Sequence, residues 1–127
     1  MTWWAPRPAS PSAEAWQDFQ AAVAWLLGLQ LLDLLTTLGA LTQGASEGNP
    51  FAAAILDSSG MAGLVRLKVV ALLLMLGWLP AYAMVQRPGQ ARSMTAWAML
   101  GLVLALVVLY SGVVVNNLRV LQLVVQP

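Results

Sequence analysis

Three long apolar runs separated by short polar interruptions set the pattern of this chain, and the spacing predicts its elements. Apolar residues dominate spans at about 21–41, 61–85 and 95–117. Each has the roughly 20 residues that an α-helix needs to cross a hydrocarbon layer about 30 Å thick. The third pattern continues through Asn116, Asn117 and Arg119 toward Gln122. Between the first two runs, the segment from Gln43 to Pro50 reads Gln-Gly-Ala-Ser-Glu-Gly-Asn-Pro. Its glycines, serine and proline end a helix and cannot lie bare in lipid. Asn49 followed by Pro50 has the pattern of an N-cap and first helical residue. The helix opening there, to Leu56 or Asp57, would be about 10 to 12 Å long, too short to cross, and is expected at the interface or dipping in as a re-entrant element. Ser58, Ser59 and Gly60 separate it from the second span, in which Pro80 is expected to cause a kink near Leu76 and Gly77. A polar turn with Arg87, Pro88, Gly89 and Arg92 leads to the third span. The fold class expected is an all-α membrane protein: three transmembrane helices plus a short interfacial or re-entrant helix after the first.

Composition supports this. Hydrophobic residues make up 60% of 127 positions and charged residues 9%, against roughly 25% charged in a soluble domain. Residues 13–127 are expected to form a single transmembrane domain. Residues 1–12, rich in proline with Trp3, Trp4 and Arg7, read as an irregular arm rather than a signal peptide. Ser10 and Pro11 look like the cap and first residue of helix one, with Glu14 and Asp18 near its positive end. There is no histidine and no cysteine, which excludes imidazole bases, thiolate chemistry, disulfides and the usual soft metal sites. No cofactor is named by the sequence. The net charge of +1 is scattered in single residues, so nucleic acid is not an expected partner. The lipid bilayer is, together with further copies of the chain or a larger membrane complex. Arg7, Arg87 and Arg92 fall on the amino-terminal side, mainly in loops, and favour a cytoplasmic amino terminus in the cytoplasmic membrane.

Against this apolar background the polar residues stand out. Asp33 lies within the first span, where a carboxylate costs about 2.5 to 3.5 kcal/mol on insertion scales, so it calls for a partner or a task. Antiparallel threading brings the end of span one, the start of span two and the end of span three to one side. Asp33, Thr36, Thr37, Glu47, Asn49, Arg66, Lys68, Asn116 and Asn117 therefore belong to one half of the molecule. Gln30, Asp33 and Thr37, at i, i+3 and i+7, form one polar stripe. Arg66 and Lys68 point about 200° apart on their helix, so one is expected to snorkel to the headgroups. Asp33 would face one cation, Glu47 or the loop the other, while Thr37 and an asparagine satisfy the remaining groups. The same groups serve equally well as interhelical glue, and Asn49 and Pro50 fit a helix cap better than a ligand contact. No nucleophile and base pair, phosphate loop or metal-ligand spacing is present.

The run Leu32-Asp33-Leu34-Leu35-Thr36-Thr37, then Glu47-Gly48-Asn49-Pro50, then Lys68, then Val115-Asn116-Asn117 resembles the domain of unknown function family 5658. The likeness covers about Leu29 to Asn117. It implies a multi-span membrane domain in which Asp33, Thr36, Thr37, Glu47, Asn49, Pro50, Lys68, Asn116 and Asn117 match the pattern, and it implies no activity. Arg66 is not part of it, which makes Lys68 the better partner for Asp33 or Glu47. Three functions compete: a binding or transport protein for an ion, proton, lipid headgroup or small solute; an accessory subunit of a larger complex, with Gly60 and Gly63 as small positions for helix packing; and a lipid-modifying enzyme, ranked last because no motif supports catalysis.

Overall fold

The computed structural model describes residues 11–125. The expected arm and the Ser10 cap lie outside these residues, except that Pro11 and Ser12 already belong to the first helix. Four helices follow in order: α1 Pro11–Thr42, α2 Pro50–Leu76, α3 Trp78–Val85 and α4 Met94–Val125. Three stretches, Ala13–Thr42, Pro50–Val85 and Met94–Val125, are long and apolar enough to cross a membrane. The protein is all-α and is a small integral membrane protein.

Local chemistry explains each boundary. α1 ends where Gly44 takes a positive φ of 89°. Ala45 N–H then donates to the Ala40 carbonyl at 3.0 Å and Gly44 N–H to the Leu41 carbonyl at 3.1 Å. This is the Schellman arrangement, which satisfies carbonyls left over by the last turn and reverses the chain. α2 opens on Asn49, whose Oδ1 accepts from the N–H of Phe51 at 3.0 Å and of Ala52 at 3.5 Å. Pro50 sits where the missing donor costs nothing.

The expected boundary between a short helix and the second span falls at Gly60, as a bend rather than a loop. Helix runs through Ser58 and Ser59, and Gly60 alone leaves helical geometry, at φ 63° and ψ −166°, a conformation that residues with a Cβ avoid. Gly63 answers to the same bend. A Cβ there would run into Ser59 Cβ and lie 3.2 Å from Ile55 Cγ2, so its small size serves its own helix. The second break, at Gly77, comes three residues before Pro80, which has no N–H to offer the Leu76 carbonyl. Gly77 N–H still bonds Leu73 O at 3.1 Å, and Ala81 N–H reaches Gly77 O at 3.4 Å.

α1 is the central element. It packs along α4 and, over shorter lengths, against α2 and α3, whereas α2 and α4 do not pack on each other. The main core lies toward the start of α1, where Phe19, Val23 and Leu26 meet Tyr82 of α3 and Ala96, Leu100 and Val103 of α4. The Phe19 and Tyr82 rings stack 3.8 Å apart at 7°, and the Tyr82 hydroxyl donates to the Ala15 carbonyl at 3.3 Å. Arg92 ties the α3–α4 turn to α1 through Asp18 Oδ2 at 2.8 Å and lies over the Trp97 ring at 4.3 Å. Outward-facing Leu73, Leu74 and Val108 are exposed, as suits surfaces meant for acyl chains.

Candidate functional site

The half of the molecule beyond this core is built differently. At 1.5 Å per residue, Asp33 lies about 14 Å from the end of α1 at Thr42, Lys68 about 12 Å beyond the Gly60 bend, and Asn117 about 12 Å from Val125. Antiparallel threading thus sets the three at a common height, and the side chains meet. Asp33 is 2% exposed. Its Oδ2 is ion-paired with Lys68 Nζ, while Oδ1 accepts from Asn117 Nδ2 at 2.7 Å and from Thr37 Oγ1 at 3.4 Å. Asn117 Nδ2 also reaches Thr37 Oγ1 at 3.2 Å. One carboxylate therefore ties α2, α1 and α4 together. A buried charge is tolerated when it is paired and its remaining lone pairs are bonded, and both conditions hold here.

The other polar residues expected at the site fall into different positions. Thr36 is buried, but its hydroxyl donates back to Leu32 O at 2.8 Å and to Asp33 O at 3.2 Å, satisfying itself within α1. Glu47 takes no cation among the described residues. Its Oε1 accepts from Asn49 N–H at 2.8 Å, so the expectation that Glu47 or its loop holds the second cation is corrected: Arg66 is exposed and makes no ion pair with any described residue. The physical reason is the angular separation of Arg66 from Lys68, which turns Arg66 outward when Lys68 turns in. Glu47 and Asn49 act as a unit, the first holding the backbone of the second, which caps α2.

Above the ion pair is a cavity of about 580 Å³ between the end of α1, the α4 face and the 46–49 loop. The Schellman turn at Gly44 folds that loop back over the groove. Thr37 and Asn117 form part of the cavity wall on the side of the ion pair, and Ser46, Glu47, Asn49 and Asn116 bring further polar groups. Leu41, Leu109, Val113 and Val120 supply the apolar remainder. Gly112 also lines the cavity, and a Cβ there would meet nothing within 4 Å. One turn before Asp33, Gln30 is 1% exposed, and its Nε2 has no acceptor among the described residues.

The profile of the family Domain of unknown function (DUF5658) matches residues 24–123. The chain belongs to this family. No curated protein and no solved structure matches it. Within the matched residues, Asp33, Thr37, Lys68 and Asn117 supply the ion-paired carboxylate and its ligands. The Glu-x-Asn-Pro element builds the turn that opens α2. Sequence reasoning passed over Ser46 and Gly112 as wall residues. The signal for Gly112 was a glycine one turn before an asparagine; for Ser46 there was none, because it needs the chain reversal at Gly44.

Proposed function

We propose that this is a small membrane binding protein whose partly polar cavity takes an ion, a proton, a lipid headgroup or a small solute, and that it works as an oligomer. The observation that carries the reading is the cavity of about 580 Å³ in which hydroxyl, amide and carboxylate groups from three segments converge beside the Asp33–Lys68 pair. Wall groups with bonding capacity to spare and a volume suited to a small ligand are the general marks of a binding site. Glue alone accounts for Asp33, Lys68 and Asn117, which are mutually satisfied. It leaves Asn116, Ser46 and the second oxygen of Glu47 without a purpose. Their convergence on one hollow with hydrogen-bonding capacity unused supports a task for them. Binding is favoured over conduction by a single chain, since the inward polar stripe of α1 stops at Gln30 and gives way to the packed rings of Phe19 and Tyr82. Movement of a ligand across the membrane would need further copies.

The test is to purify the full chain from membranes in mild detergent and identify retained molecules by native mass spectrometry. Wild-type protein should carry a non-protein molecule that Gly112→Leu, which fills the cavity, and Asp33→Asn, which unpairs Lys68, both lose while staying folded. Equal retention by all three, or nothing bound to any of them, would overturn the reading.

A second reading, an accessory subunit of a larger membrane complex, is favoured by one observation: the backbones of α2 and α4 make no close approach, which leaves a side of α2 toward α4 open. The native mass decides, because a subunit should travel with other chains, whereas migration only as a monomer or homo-oligomer removes the idea.

A further inference from the structure

We infer that the ligand of this cavity carries a primary ammonium group, which pairs with Glu47. The inference rests on the binding reading above and adds the chemistry of the occupant. Among the described residues, Glu47 is the only charged side chain in the cavity wall. Its Oε1 is engaged by Asn49 N–H, while no bond is made to Oε2 by a described residue. Asp33 is already neutralised by Lys68, and Arg119, one turn past Asn116 on α4, is exposed and does not line the cavity. The wall therefore offers one uncompensated negative charge to a ligand.

Three alternatives to a primary ammonium fit less well. A hard divalent cation gathers six or more oxygens, usually from several carboxylates, and no group of three acidic or other metal-ligating residues occurs among the described residues. A quaternary ammonium is held by aromatic faces, and no aromatic side chain of the described residues lines this cavity. An anion would face Glu47 with no cation among the described wall residues to meet it. A primary ammonium has three N–H donors to place. The wall provides acceptors of that kind in Glu47 Oε2 and in Oδ1 of Asn116 and Asn117, since the bonds Asn117 makes to Asp33 and Thr37 use only its Nδ2. Leu109 and Val113 then cover the carbon skeleton. A free amine and an amine-bearing lipid headgroup share this chemistry.

The experiment uses the full chain in detergent with ethanolamine, choline and ethylene glycol as soluble probes, measured by calorimetry. In parallel, native mass spectrometry follows protein released from vesicles of phosphatidylethanolamine and phosphatidylcholine in equal parts. Ethanolamine or phosphatidylethanolamine should bind more tightly than its competitors by about tenfold or more. Glu47→Gln should erase the preference while the melting temperature holds, because glutamine keeps the Oε1 acceptor for Asn49. Binding of ethanolamine alone assigns a soluble amine, and retention of phosphatidylethanolamine alone assigns the lipid; both support the inference. A preference that survives Glu47→Gln, or choline binding as well as ethanolamine, overturns it. If ethanolamine and ethylene glycol bind equally and Gly112→Leu loses both, the cavity is still a binding site and only the ammonium assignment falls. If no probe binds and no lipid is retained, both readings fall together.

Discussion

The two halves of this protein hold the same three segments together by opposite means. Toward the start of α1, stacked rings and interlocked aliphatic side chains join α1, α3 and α4. Toward its end, one carboxylate with a lysine, an asparagine and a threonine joins α1, α2 and α4. In lipid, apolar surface gains little from leaving its surroundings, so the first half depends on close van der Waals fit and the second on satisfying polar groups that have nowhere else to go. The first arrangement closes over its stacked rings, with Phe19 and Tyr82 fully buried. The second leaves a cavity beside it, because a few directional bonds fix the helices without filling the volume between them.

The comparison is broken most severely at Asp33. Asp33→Leu leaves the part-buried Lys68 without its counter-charge and should cost about 3 to 4 kcal/mol, read as a shift in denaturant-induced unfolding in micelles. Adding Lys68→Met should recover most of that loss, since two apolar groups need no partner. If the double variant is as unstable as the single one, the pair is not what joins α2 to α1. Next comes Phe19→Ala, expected to cost about 3 kcal/mol through the cavity left under Tyr82. It should leave ligand retention in the other half unchanged, and a matching loss of ligand would show that the halves are coupled.

These two sites also show what the sequence made legible. The spans, the polar turns and the meeting of Asp33, Lys68 and Asn117 at one height follow from hydrophobic run length and antiparallel threading, which are written directly in residue order. The pairing of Asp33 with Lys68 rather than Arg66 came from the family pattern, and the angular offset between the two cations agrees with it. What was not legible depended on backbone geometry that no side-chain pattern reports. The reversal at Gly44 carries Ser46 and Glu47 over the groove. The bend at Gly60 replaces an expected linker, and with it Gly63 changes from a surface for other helices to a seat for Ser59. The stacking of Phe19 on Tyr82 was hidden for another reason: α3 exists as a separate piece only because Gly77 and Pro80 re-aim it.

A smaller effect sharpens the role of that bend. Gly63→Ala should cost about 2 kcal/mol by overpacking against Ser59, and Ser59→Gly in the same chain should restore it. The thermal midpoint of the four forms makes the cycle, and an additive result would mean that the two positions do not touch. Least of all, Tyr82→Phe removes the hydroxyl bond to the Ala15 carbonyl but keeps the ring stack. It should cost about 0.6 kcal/mol, the usual worth of such a bond between membrane helices, again by unfolding in micelles. A loss as large as that from Phe19→Ala would mean that the first half is held by polarity after all.

The absence of packing between α2 and α4 has a consequence for what counts as the interior of this molecule. The trough it leaves, about 210 Å³ bordered by Leu26, Leu74, Met75 and Val103, is almost wholly apolar and lies open to its surroundings. Liquid hydrocarbon does not leave such a furrow empty, because lining atoms without neighbours forfeit their dispersion contacts. An acyl chain lying in this furrow would meet Leu26, Leu74, Met75 and Val103 as a buried leucine meets its neighbours in water. The solvent of such a protein would then also be one of its building materials.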